Sequence, residues 1–142
     1  MKKLLLVVLV SIFVAVGLVA QGSSAAKKPR VQRFGMVIGM KPSKIAEYKK
    51  LHTNAWPAVL KQIKKSNIRN YSIYLKEIEP GKWYLFSYFE YVGSDFNADM
   101  KAMAKDPTTQ KWWKATDPCQ KPIPTAKKGE KWSMMEEVFY TQ

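Results

Sequence analysis

The chain has 142 residues, with 24 Lys and Arg against 11 Asp and Glu, a net charge of +13, one His and one Cys. Apolar residues at 46% and aromatics at 13% are enough to build one domain's core and exclude a disordered chain. A four-ligand Cys/His zinc site and a disulfide framework are both excluded within the chain, and any imidazole chemistry falls to His52.

Met1-Lys2-Lys3, the uncharged run of 17 residues from Leu4 to Ala20 and the small polar stretch Gln21 to Ala26 have the three parts of a secretory signal peptide. Residues 1–25 are therefore expected to be removed, with the cut after Ala20 or Ala25, which lowers the net charge to +11. No stable membrane insertion is expected afterwards, and the product is exported, either periplasmic or secreted. Export turns the basic surface away from nucleic acid and toward anionic glycans, envelope phosphates or acidic lipid surfaces, unless the scattered Lys residues simply form a solvated face. Cys119 would then meet an oxidising compartment alone, as a buried inert thiol or as half of an intermolecular bridge.

A basic linker, residues 26–32, leads into a domain spanning 33–142. Val31 to Met40 reads as a strand, with Gly35 and Gly39 on one face leaving room for a close neighbour. Pro42 suits the first turn of a helix. Ile45, Tyr48, His52, Ala55, Val59 and Ile63 then form one helical stripe. Pro57 removes a hydrogen bond and clashes one turn back, so the helix is predicted to kink or break just after His52. Ile68–Glu79 and Trp83–Val92 flank the turn Pro80-Gly81-Lys82 as a hairpin. Ser94 is a candidate N-cap for a helix that buries Phe96, Met100, Met103 and Ala104. Asp106-Pro107 interrupts that helix, and Thr108 to Thr116 resumes it. Asp117 to Gly129 reads as a loop, and Trp132 to Tyr140 as the last strand.

The order strand, helix, strand, strand, helix, strand predicts an α+β, ferredoxin-like βαββαβ fold: a four-stranded antiparallel sheet with two helices on one face. The other face of Trp83–Tyr91, carrying Tyr84, Phe86 and Tyr88, is too aromatic to stay in water. A homodimer joined through its sheets, a dimeric α/β barrel, would cover it.

His52 and Tyr48 lie four residues apart on the stripe turned toward the sheet. An inward His and Tyr beside a broken helix suggest a pocket, although taken singly His52, Trp56 and Tyr71 also read as ordinary core residues. Trp112 and Trp113 point about 100° apart on a helix, so both cannot enter one core spot. One is expected to lean toward a ligand or a partner, and an indole face is well suited to the C–H face of a sugar.

Glu47-Tyr48 with His52 and Trp56-Pro57, the run Asn70 to Leu75, Trp112-Trp113-Lys114 and Glu137-Val138-Phe139-Tyr140 together resemble, in order, the L-rhamnose mutarotases. That resemblance implies a dimeric α/β barrel that interconverts the α and β anomers of L-rhamnopyranose, or a related 6-deoxy sugar, without metal or cofactor. It implies acid/base chemistry at His52 and substrate contacts from Tyr48, Tyr71, Trp112 and Trp113. The chain departs from the pattern at Thr53-Asn54, at Asp106 to Gln110, and in the long Lys/Pro-rich stretch from Asp117 to Lys131. The last two bear on sugar preference more than on the reaction.

Anomer exchange opens the ring, rotates the carbonyl and recloses it, which needs only positioned proton transfers. One imidazole near its ordinary pKa can supply them. His52 is assigned as proton donor to the ring oxygen, with the base unassigned. Tyr48 and Tyr71 would orient hydroxyls, and Trp112 or Trp113 would pack the methyl side. Two other readings stay open: a haem-handling or cofactor-free oxygenase on the same barrel, with His52 as axial ligand, and a non-catalytic carbohydrate-binding protein.

Overall fold

A computed structural model describes residues 31–141. The expected signal segment and residues 26–30 of the linker lie outside the described residues. In chain order the elements are β1 (Gln32–Met40), a 3-10 turn (Pro42–Lys44), α1 (Ile45–Thr53), α2 (Pro57–Lys65), β2 (Ile68–Glu79) and β3 (Lys82–Tyr91). There follow α3 (Phe96–Lys105), α4 (Pro107–Thr116), a second 3-10 turn (Asp117–Cys119), β4 (Gln120–Lys121) and β5 (Ser133–Met135).

The sheet is antiparallel throughout, in the order β2-β3-β1-β4, with β5 also paired to β1. β4 pairs with Gly39 and Met40, and β5 with Gly35 to Val37, so two short pieces share the fourth strand position. This is the expected four-stranded βαββαβ order, with two corrections. The anticipated two helices are four, because each connection is split at a proline, Pro57 or Pro107, that occupies the first turn of a new helix. The anticipated strand Trp132–Tyr140 is a strand only at Ser133–Met135. Beyond it the chain is tied to β1 through side chains: Arg33 donates to both Glu137 carboxylate oxygens, at 2.6 and 2.9 Å, and lies 3.4 Å over the Tyr140 ring.

The cap expected at Ser94 falls one residue later. Asp95 accepts the Ala98 amide hydrogen at 2.9 Å, placing a negative charge at the positive end of α3. Asp106 caps α4 in the same way, accepting from the Thr109 amide at 2.7 Å.

Both predicted glycine contacts exist. An added Cβ at Gly35 would meet the flexible Met135 Cε at 3.0 Å, whereas at Gly39 it would meet the Lys121 backbone oxygen at 2.9 Å. A side-chain end can move aside, but a paired strand cannot. Gly39→Ala is therefore expected to cost about 1–3 kcal/mol and to lower Tm by about 5 °C or more. Gly35→Ala should stay close to wild type in the same thermal melts.

One face of the sheet meets the helices through two apolar clusters. Ile38, Met40 and Leu85 close around Tyr48 and Cys119, while Ile68, Phe89 and Met103 gather Phe34, Met36, Ile63, Phe96 and Met100. Cys119 is fully buried, and burial pushes its thiol pKa up, which decides for the inert-thiol reading. Ellman's reagent should leave the native protein untouched and titrate one thiol in guanidinium.

Candidate active site

α1 ends at Thr53 and α2 starts at Pro57, so the first helical connection breaks just after His52, as the sequence predicts. Trp56, extended at the break, caps α2 through its carbonyl, which accepts from the Val59 and Leu60 amides. The break leaves Tyr48 and His52 on the last turns of α1, facing the sheet.

The Nδ1–H of His52 donates to the Tyr48 carbonyl oxygen at 2.9 Å. A carbonyl has no hydrogen to give, so the neutral ring carries its proton on Nδ1 and keeps a lone pair on Nε2. Desolvation lowers the His52 pKa and the bond to Tyr48 opposes it only in part, so the ring is neutral at neutral pH. The Tyr48 ring packs on the imidazole with centroids 4.1 Å apart at 32°. Its hydroxyl accepts from Gln120 Nε2 at 3.3 Å, which leaves its own O–H to donate elsewhere. Burial, aided by the nearby Tyr71, raises the Tyr48 hydroxyl far above its usual range.

Helix α4 divides the tryptophan pair. Trp112 is 8% exposed and turns inward, making edge contacts with His52 (5.2 Å, 68°) and Trp56 (5.3 Å, 76°). Trp113 is 40% exposed and stands at the rim. Tyr71 reaches the same space because of a bulge. Ile68 faces the helices opposite Tyr91, and strict alternation from there would turn Tyr71 outward. The register shifts between Arg69 and Ser72, where Asn70 takes φ 50° and its side chain donates to Glu90 at 2.8 Å. The extra residue returns Tyr71 to the helix side, edge-on to Phe89 at 5.7 Å. Desolvation pushes its hydroxyl up to about 12, although 42% of the residue is exposed at the mouth.

These parts enclose a cavity of about 460 Å³ between sheet and helices, lined by His52, Tyr48, Tyr71, Trp112 and Trp113. All five residues singled out in the sequence thus line one space. The sequence reading missed Gln120, Asp117, Lys131 and Trp132, which also line it. They come from the stretch read as a loop and from the start of the last strand. An ion pair between Lys131 and Asp117 ties that loop across the rim. No local pattern marks these residues; the family departure in this stretch was the one available signal. Among the described residues, no group of three or more His, Cys, Asp or Glu is placed to hold a metal ion.

Chemically, the site offers one neutral proton acceptor, two phenols that stay protonated, and indole walls. A family model described as L-rhamnose mutarotase matches residues 33–141. The chain is similar to the L-rhamnose mutarotase of Oceanobacillus iheyensis, 33% identical over 91 residues that cover 64% of this chain and 82% of that protein. It is likewise similar to that of Bacillus subtilis, 31% identical over 91 residues, with 64% and 82% covered. The crystal structure of an L-rhamnose mutarotase from Formosa agariphila shares the fold, with a TM-score of 0.58 at 22% identity, covering 78% of this chain and 99% of that one.

Proposed function

The chain belongs to the L-rhamnose mutarotase family, a family of carbohydrate isomerases, and on that premise we propose that it interconverts the anomers of L-rhamnopyranose, or a related 6-deoxy sugar, by acid/base ring opening at His52. Among the three readings open from the sequence, the family match favours this one. The observation that carries the mechanism is the Nδ1–H bond of His52 to the Tyr48 carbonyl, which leaves Nε2 as a free acceptor on a residue lining the cavity.

Ring opening moves one proton from the anomeric hydroxyl to the ring oxygen. Both oxygens are bonded to the same carbon, so a single nitrogen can serve both. Nε2 takes the proton from the anomeric hydroxyl as the ring C–O bond breaks and the carbonyl forms, and the imidazolium then gives it to the ring oxygen. The donor role read from the sequence is thus the second half of a shuttle whose first half is the unassigned base. After rotation the steps reverse on the other carbonyl face. Tyr48 and Tyr71 hold substrate hydroxyls, because their raised pKa values keep both phenols protonated.

The test is anomeric exchange spectroscopy by NMR on L-rhamnose, L-fucose, L-lyxose and D-glucose. Acceleration strongest for L-rhamnose is expected; no acceleration for any sugar would refute the reading.

Two further parts of the proposal concern setting and assembly. Residues 1–25 direct export, so Edman sequencing of the mature protein should start after Ala20 or Ala25. The outer sheet face carries Tyr84, Phe86 and Tyr88, with Tyr74 64% exposed, and Val138 and Phe139 beyond it are 88% and 79% exposed. A second copy covers this face, and sedimentation equilibrium should return twice the chain mass.

A further inference from the structure

The cavity has two chemically different ends. Tyr48, His52, Gln120 and the Asp117–Lys131 pair supply polar groups at one. At the other, Met36, Ile63, Phe89, Phe96, Met100 and Met103 form a wall without a single side-chain nitrogen or oxygen. Tyr71 stands between them, its ring on Phe89 and its hydroxyl near enough to Tyr48 to influence it. The second apolar cluster therefore does not close on itself but opens into the site.

An unsubstituted sugar does not suit this lobe. Its single methyl group meets only part of such a wall, and a hydroxyl turned toward the rest would lose water without gaining a partner. Four of the chain's seven methionines line the cavity, Met36, Met100, Met103 and Met134, and their unbranched thioethers adapt to groups of different shape.

We infer that the preferred substrate is a 6-deoxy sugar bearing an apolar O-methyl ether in place of one of its hydroxyls other than that at C1, with that methyl group seated in the lobe of Met36, Phe96 and Met100. The C1 hydroxyl stays free, as ring opening requires. This inference rests on the mutarotase reading.

The experiment measures NMR anomer exchange on the full chain with L-rhamnose and its three mono-O-methyl ethers. At least one methyl ether should show kcat/KM about fourfold above L-rhamnose. Met100→Gln, which puts a polar group in the lobe at nearly unchanged length, should bring that ratio down toward one. Should this variant fail to fold, wild-type protein labelled at the methionine methyls gives a second readout. The Met36, Met100 and Met103 signals should shift with the favoured derivative and stay largely unmoved with L-rhamnose. If L-rhamnose exchange is accelerated but no derivative exceeds it, this inference falls and the mutarotase reading stands. If no sugar is accelerated, both fall.

Discussion

His52→Ala is expected to abolish catalysed exchange of L-rhamnose anomers, with a loss on the order of 10²–10⁴-fold for removing a positioned proton carrier. The neighbouring contacts predict that the fold survives. His52 is only half-buried, and its removal leaves the Tyr48 hydroxyl on Gln120 and the Trp112 edge on Trp56. His52→Gln separates position from proton transfer: it keeps a polar planar group yet cannot carry a proton at neutral pH, so it should be as inactive as alanine. Circular dichroism and thermal melts close to wild type, together with lost exchange, would assign the loss to chemistry. Wild-type exchange rates in either variant would remove His52 from the reaction.

The second large effect concerns Trp112. The indole is almost fully buried and touches both His52 and Trp56, so Trp112→Ala opens a cavity and should cost about 3–5 kcal/mol of stability. It also lets water toward the imidazole. Because desolvation is what lowers the His52 pKa, the exchange profile should move toward higher pH as that pKa returns toward its ordinary value. Trp113, at the rim, touches neither ring in that way. Trp113→Ala should raise KM while leaving pH profile and melting temperature near wild type. Calorimetry on both variants separates these roles, and identical behaviour would contradict them.

The same pKa has a stability consequence. The folded pKa of His52 lies below the unfolded one, so between the two the unfolded chain binds more protons. The stabilisation from keeping the ring neutral is present above the unfolded pKa and is lost as pH falls through the window toward the folded value. Acid is therefore expected to weaken both activity and fold through His52.

Much of this site is legible from local spacing. Tyr48 and His52 share a helix face because they lie four apart, Pro57 breaks the helix where its missing N–H demands, and two adjacent indoles must diverge. Gly35 and Gly39 announce a close neighbour, which proves to be the divided fourth strand. Tyr71 is different. Its place depends on a bulge at Asn70, and strand alternation counted from Ile68 sends it to the wrong face; only the family resemblance put it in the site. Gln120, Asp117 and Lys131 are brought in by chain return across the sheet, a long-range effect that no short window encodes. The caps show the limit of local chemistry: Ser94 and Asp95 are both suitable residue types, and only the path of the chain makes Asp95 the acceptor for Ala98.

The chain contains one histidine, so every imidazole signal in a nitrogen-15 spectrum of the protein belongs to His52. The most direct measurement is a pH titration of those two ring nitrogens, with and without L-rhamnose. The Nδ1–H bond to the Tyr48 carbonyl and the half-buried ring predict a protonated Nδ1 and a bare Nε2 at neutral pH, a midpoint below that of an unburied histidine, and an Nε2 shift when the sugar is added. A proton resident on Nε2 in the neutral ring, or a spectrum indifferent to saturating L-rhamnose, would contradict the role proposed for His52.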